Sequence, residues 1–114
     1  MLPSNLELLR HILDETTFIL NAVDDKNDEQ IVNDPILSRA IIRSLEIIGE
    51  ASTKVDVDFK AIHPQVEWRK MSATRNRLIH DYFGVDYDIV IDIIKNKLPN
   101  LQHDISQIIS DSKE

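Results

Sequence analysis

The chain has 114 residues, of which 42% are hydrophobic and 29% charged, and its formal net charge is −7. This length and composition are typical of one globular domain and exclude a disordered chain, so we predict a single domain over residues 1–114. The absence of cysteine excludes disulfides, thiolate metal sites and a cysteine nucleophile. Acidic residues within the first 23 positions fit neither a signal peptide nor a membrane span, and we expect a cytoplasmic protein without membrane contact.

The first two predicted helices are bounded by capping residues. Residues 4–7, Ser-Asn-Leu-Glu, form a capping box, and the apolar residues that follow at helical spacing predict a helix from about Asn5 to Val23. Residues 24–28 are polar and predict a solvated loop. Asp34 and Pro35 then predict the N-cap and the first residue of the second long helix.

The second long helix is apolar on two sides, which is typical of a helix at the centre of a bundle or at a dimer interface. One stripe consists of Leu37, Ile41, Leu45, Ile48 and Val55, and the other of Ile36, Ala40, Ile47 and Ala51. Gly49 in its interior costs about 1 kcal/mol relative to alanine. Either another backbone approaches closely at that point, or the glycine is there by chance.

The pattern breaks between Val55 and Trp68, where His63-Pro64 predicts a turn or a short helical connection. A third long helix is predicted from near Trp68 to Gly84, a residue suited to a helix C-terminus.

A fourth long helix is predicted after Asp86 or Asp88, either of which is a suitable cap. Pro99 must kink or restart it. Its apolar seam is Ile94, Leu98, Leu101, Ile105 and Ile108. The fold prediction is therefore an all-α, up-and-down bundle of four to five helices.

The third long helix has the clearest candidate chemistry. Residues 69–77 contain four cations and no acid, so this segment would attract a phosphate locally although the chain is acidic. On a continuous helix, Arg75 lies within the apolar face, while Asn76 and His80 lie together on the adjacent face with Arg69. The remaining polar side chains, Lys70, Arg77 and Asp81, would face solvent.

The spacing Arg75-Asn76-x-x-x-His80 resembles the R-x4-6-H signature of HEPN domains. The string RNRLIHDYFGVD, preceded by WRKMSAT and by SLEIIGEA at residues 44–51, is similar to HepT-like toxins encoded beside a minimal nucleotidyltransferase (MNT). In that subfamily the signature extends to R-x4-H-x-Y, which Tyr82 completes. The resemblance covers the chain from about residue 34 to about residue 101.

The resemblance implies a homodimeric toxin of a HEPN/MNT toxin–antitoxin pair, acting as a metal-independent endoribonuclease without a cofactor. The signature helices of two protomers would face each other across one cleft. His80 would act as general base or acid, Arg75 would stabilise charge on the phosphate, and Asn76 would position the substrate. Arg69 and Arg77 are the candidate contacts to RNA phosphates.

The same resemblance implies a partner protein and a modification site. The cognate MNT-type nucleotidyltransferase antitoxin would use ATP to transfer AMP to Tyr82, which would neutralise the toxin. The alternative is that Tyr82 serves only in packing.

Each assignment has a simpler alternative at this stage. His80 would interact with the dipole at the end of its helix, Arg75 would form an ion pair with Glu46 or Glu50, and Asn76 would be a surface amide. The whole chain would then be a non-catalytic HEPN module that binds a nucleotide or serves as partner subunit, or a structural helical dimer. The other histidines have no metal-site spacing, so we expect no metal: they are His11, His63 and His103.

Overall fold

The computed structural model of the chain describes residues 3–81 and 84–112, and the side chains of all of these except residues 75 and 78–81. The fold is all-α, as predicted, with one very short pair of strands. The described ranges contain α1 (Asn5–Val23), α2 (Asp28–Asn33), α3 (Pro35–Lys54), α4 (Val57–Ile62), α5 (Trp68–Leu78), β1 (Ile79–Asp81), β2 (Gly84–Val85), α6 (Tyr87–Asn96) and α7 (Leu98–Asp111).

The two predicted N-caps begin the two longest helices. The Ser4 hydroxyl accepts a hydrogen bond from the Glu7 backbone N–H at 3.1 Å, and α1 has the predicted bounds. The Asp34 carboxylate accepts from the N–H groups of Ile36 and Leu37 at 2.9 and 3.0 Å, and the helix starts at Pro35. Both predictions are confirmed, because a cap satisfies backbone donors that have no partner within the helix.

The predicted loop over residues 24–28 is too long by one residue, because Asp28 begins the short helix α2. Asn27 accepts from the Gln30 N–H at 2.9 Å, and the Gln30 side-chain oxygen accepts from the Asn27 N–H at 2.9 Å. This reciprocal capping box has a sequence signal, an asparagine followed three residues later by glutamine. The signal predicts α2, which the periodicity of so short a segment does not reveal.

Helix α3 lies at the centre of the bundle. It packs against α1 and α5, and α7 packs against α1. Four residues of its first apolar stripe are buried: Ile41, Leu45, Ile48 and Val55. The second stripe is divided, since Ala51 is buried whereas 82% of Ile36 is exposed.

Gly49 lies where the backbones of α3 and α5 approach each other. A Cβ at this position would be 3.1 Å from the Met71 carbonyl oxygen and 3.9 Å from that of Ser72. Beside it, the buried Ser52 hydroxyl donates to the Ile48 carbonyl oxygen at 2.7 Å and lies 3.8 Å from the Met71 sulfur. The predicted close approach of another backbone is therefore confirmed.

The C-terminal helices also agree with the prediction in their cap, their restart at Pro99 and their buried seam. Asp86, rather than Asp88, caps α6, and its carboxylate accepts from the N–H groups of Asp88 and Ile89 at 3.1 and 3.3 Å. Pro99 is the second residue of α7, so it restarts the helix there. All five residues of the predicted seam are buried.

The prediction that the third long helix continues to Gly84 is wrong. Helix α5 ends at Leu78, and Ile79–Asp81 then pairs antiparallel with Gly84–Val85, with Ile79 opposite Val85. Gly84 is in β2, and φ is not positive at any described glycine, so it does not form a left-handed helix cap. The segment after Leu78 contains β-branched and aromatic residues, which have low helix and high strand propensity.

Within the described ranges, no helix is both long enough and apolar enough to cross a bilayer.

Candidate functional site

The start of α5 is held by the only tryptophan of the sequence. Trp68 is buried, and its indole N–H donates to the His63 carbonyl oxygen at 2.9 Å. Met71, one turn later, is also buried, under α3. These contacts fix α5 against the centre of the bundle and against the turn before it, so the polar side chains on the rest of its surface have a defined direction.

Helix α5 is cationic along its whole length. It contains three arginines and one lysine within Trp68–Leu78 and no acidic residue. The side chains of Arg69, Asn76 and Arg77 are exposed. In a chain with a net charge of −7, this concentration of donors favours the local binding of an anion such as a phosphate.

Three of the predicted site residues lie partly or wholly outside the described structure. The side chains of Arg75 and His80 and the whole of Tyr82 lie outside the described residues. The backbone places Arg75 in α5 and His80 in β1. Because α5 ends at Leu78, the helical spacing that put His80 beside Asn76 does not continue that far.

The two predicted phosphate contacts face different cavities. Arg69 borders a cavity of about 670 Å³ with Lys60, Pro64 and Ser72. Arg77 borders a second cavity of about 400 Å³. Eight residues at about 100° per residue separate the two directions by about 80°, which is why one helix presents arginines to two sides.

The second cavity, which we call the α5–α7 cleft, has Lys70 and Arg77 at its edge, and both residues are exposed, as predicted. Its floor is apolar and comes from the core side chains of α3, α5, α6 and α7, while its edge is polar. The floor includes Leu45, Ile48, Met71, Ile93, Leu98 and Leu101, and the edge includes Glu67, Lys70, Thr74, Arg77, Lys97, Asn100 and Asp104. The sequence has no local signal for this cleft, because its lining residues come from distant segments.

Glu67 connects two sides of the cleft. Its carboxylate lies 2.9 Å from the Lys70 ammonium and 3.4 Å from that of Lys97, which follows α6. The hydrogen bond from Lys70 is the largest effect and lowers the pKa of Glu67. Burial opposes it, and the positive charges of Lys70 and Lys97 lower the pKa further. Both lysines are thus partly neutralised by the same carboxylate.

Metal-ligating side chains are scattered in the part of the chain that the structure describes. No group of three or more histidine, aspartate or glutamate side chains there has the arrangement of a metal site. Of the histidines whose side chains are described, His11 and His103 are exposed, and the ring of His63 contacts that of Phe59 at 4.6 Å between centroids.

Comparison with known proteins assigns the chain to a family. The sequence matches the family described as "Ribonuclease HepT-like" over residues 12–108. "Putative RNase TTE0752" of Caldanaerobacter subterraneus is 40% identical over 92% of this chain and 94% of its own. "Putative RNase MJ0127" of Methanocaldococcus jannaschii is 41% identical over 90% of this chain and 85% of its own.

A further relative, "Probable ribonuclease HepT" of Thermococcus cleftensis, is 49% identical over 55% of this chain and 57% of its own. No solved structure matches this chain.

Proposed function

Because the chain belongs to the HEPN-domain, HepT-like family, we propose that it is an endoribonuclease with its site at the end of α5. The observation that supports this most directly is the helix itself. Its exposed Arg69 and Arg77, on two sides of the helix, and the exposed amide of Asn76 give α5 a local excess of cations and donors on an acidic protein, and the helix leads directly into the strand that contains His80. Two relatives are named as putative RNases, which supports RNA as the substrate class.

The proposed reaction is a transesterification within the RNA. The ribose 2′-hydroxyl attacks the adjacent phosphorus, the new P–O2′ bond forms, and the bond from phosphorus to the 5′ oxygen of the next nucleotide breaks. His80 accepts the proton of the 2′-hydroxyl or delivers a proton to the leaving oxygen. Arg75 stabilises the charge on the phosphate oxygens, and Asn76 positions the phosphate. The nucleophile belongs to the RNA, so the proposal needs no metal-bound water.

A single chain supplies few groups for such a reaction, and we propose a homodimer in which two copies of the signature border one cleft. The exposed Ile36, together with the partly exposed Ala40 and Ile47 on the same side of α3, is apolar surface that a second copy would cover.

The activity is tested with purified protein and defined single-stranded RNAs. Wild type is expected to leave 2′,3′-cyclic phosphate ends and to remain active in EDTA. His80→Ala and Arg75→Ala should each reduce cleavage by at least about a hundredfold, because proton transfer and charge stabilisation each contribute on that order. His103→Ala and Arg39→Ala, which change exposed residues outside α5, are the matched controls.

Full activity of a folded His80→Ala protein would refute this mechanism. Inducible expression gives a second readout. Growth arrest that His80→Ala relieves supports the toxin, whereas harmless expression of the intact chain supports a non-catalytic HEPN module.

We also propose that an MNT-type nucleotidyltransferase antitoxin regulates the enzyme by transferring AMP from ATP to the Tyr82 oxygen, with release of pyrophosphate. Tyr82 is two residues from His80 and seven from Arg75 along the chain. The added phosphate would compete with RNA for the arginine, and the nucleotide would block the site.

Tyr82→Phe separates this role from simple packing, because it keeps the ring and removes the acceptor. The variant should fold, and incubation with the partner and ATP should add no mass to it, whereas wild type should gain one or more AMP units. Mass spectrometry that places AMP on Tyr87 would show that the assignment to Tyr82 is wrong.

A further inference from the structure

We propose that the α5–α7 cleft is a base-binding subsite, which takes one unstacked nucleobase that carries an exocyclic amino group. The inference rests on the proposed RNase function and names a substrate preference for it. The cleft has a volume of about 400 Å³, within the range of small-ligand sites. Sequence-specific recognition of RNA commonly takes a splayed base from a single strand into such a pocket.

The floor of the cleft is apolar. Its deepest residues, Leu45 and Ile48 of α3, are almost fully buried, and it also includes Met71 and Leu101. These side chains have no hydrogen-bond donor for a polar ligand. They would instead contribute by removing the apolar faces of a base from water.

Two of the polar groups at the edge, Thr74 and Asp104, can only accept hydrogen bonds from a ligand, and they lie beside the cations and the amides of Gln65 and Asn100. The Thr74 hydroxyl donates its hydrogen to the Lys70 carbonyl oxygen at 2.9 Å, so only its lone pairs remain for a ligand. The Asp104 carboxylate oxygens act as acceptors, and the Asn100 amide has one acceptor oxygen and one NH2 group that donates. An exocyclic amino group, present in adenine, cytosine and guanine, supplies two N–H donors to such acceptors. Uracil lacks this group, and its one donor, the ring N3–H, lies between two carbonyl oxygens that a carboxylate would repel.

The cationic groups at the edge suit the attached phosphate. Lys70 and Lys97 are paired with Glu67, but neither Arg77 nor Asp104 has an ion pair among the residues that the structure describes. Arg77 is therefore the cation available to a phosphate next to the bound base. It follows Asn76 directly and precedes His80 by three residues, so the subsite adjoins the proposed reaction centre along the chain.

The test is a titration of the full chain with adenosine, cytidine, guanosine and uridine 3′-monophosphates, followed by NMR of the methyl groups of Leu45, Ile48 and Leu101. Ribose 5-phosphate is the probe without a base. The three nucleotides with an amino group should shift these methyl signals and bind at least about tenfold more tightly than uridine monophosphate. Ribose phosphate should leave them unchanged.

Asp104→Asn provides the specificity variant. Its amide donates as well as accepts, so uridine monophosphate should bind more tightly and the tenfold preference should disappear. Asp111→Asn is the matched control, because it makes the same change on the same helix at an exposed position outside the cleft. It should keep the preference of wild type.

Equal binding of all four nucleotides, or shifts produced equally by ribose phosphate, would overturn the subsite. If the methyl signals change with protein concentration and not with added nucleotide, the cleft binds a second copy of the protein. This result would also overturn the subsite. Cleavage assays separate this result from the parent proposal. RNA cleavage without base-dependent shifts refutes the subsite alone, whereas base-selective binding without cleavage refutes the nuclease alone.

Discussion

Gly49 determines how closely α5 approaches the centre of the bundle. A Cβ there would lie 3.1 Å from the Met71 carbonyl oxygen, and that oxygen belongs to the backbone of a packed helix, which cannot rotate away. We therefore expect Gly49→Ala to lower the free energy of unfolding by about 1 kcal/mol, since overpacking costs about 1–3 kcal/mol and exceeds the gain of about 1 kcal/mol in helix propensity. Denaturant unfolding measures the change.

The pair His11→Ala and His11→Gly, at an exposed position inside α1, is the control for helix propensity alone. The glycine variant of this pair should be less stable than the alanine variant by about 1 kcal/mol. The amide signals of Met71 and Ser72 should shift in Gly49→Ala and not in either His11 variant. A Gly49→Ala protein that is more stable than wild type would show that α5 can shift away from α3 at little cost. The glycine would then not be required for the close packing of the two helices.

At the scale of elements, Glu67 joins the start of α5 to the junction between α6 and α7. Its pKa is lowered below the ordinary value of 4.5, chiefly by the hydrogen bond from Lys70. A lowered pKa means that Glu67 stabilises the fold fully above the pKa of the unfolded chain, and that this contribution is lost as the pH falls through the folded-state pKa. Because 48% of the side chain is exposed, we expect Glu67→Gln to cost no more than about 1 kcal/mol at pH 7.

The difference between wild type and Glu67→Gln should shrink as the pH falls below 4.5, in a series of urea unfolding curves. Repeating the comparison in a chain with Lys70→Met and Lys97→Met isolates the ion pairs. In that background the substitution of Glu67 should have little effect at any pH. An equal effect in both backgrounds would show that the ion pairs contribute nothing.

At the scale of the whole molecule, the exposed apolar side of α3 is relevant to the oligomeric state. Ile36 is 82% exposed, and the proposed homodimer would cover it. We expect light scattering at micromolar concentration to give twice the mass of one chain, and Ile36→Asp to shift the protein towards the monomer by at least about tenfold in dissociation constant. Burying an unpaired carboxylate in an apolar contact is the physical reason.

Val57→Asp is the matched control, since Val57 is 79% exposed on α4 and lies outside the stripe. It should leave the dimer intact. A wild-type chain that is monomeric at that concentration would rule out the composite site. A dimer that tolerates Ile36→Asp would show that a different surface forms it.

Much of the fold follows from interactions between residues close in sequence. Ser4, Asp34 and Asp86 begin helices at the predicted places because a cap acts on N–H groups two or three positions away. The buried seam of α7 follows from periodicity alone. The resemblance on residues 75–86 and 44–51 led to the correct family for the same reason, since a motif is a local pattern.

The sequence by itself therefore determined the long helices, their caps, the core seams and the family. Only the tertiary structure decided that the chain beyond Leu78 pairs as β1 with β2, that the backbone close to Gly49 is that of α5, and which segments line the cavities beside Arg69 and Arg77. Each of these depends on which segments meet in space, and the identity of a contacting segment has no period or spacing along the chain from which it can be predicted.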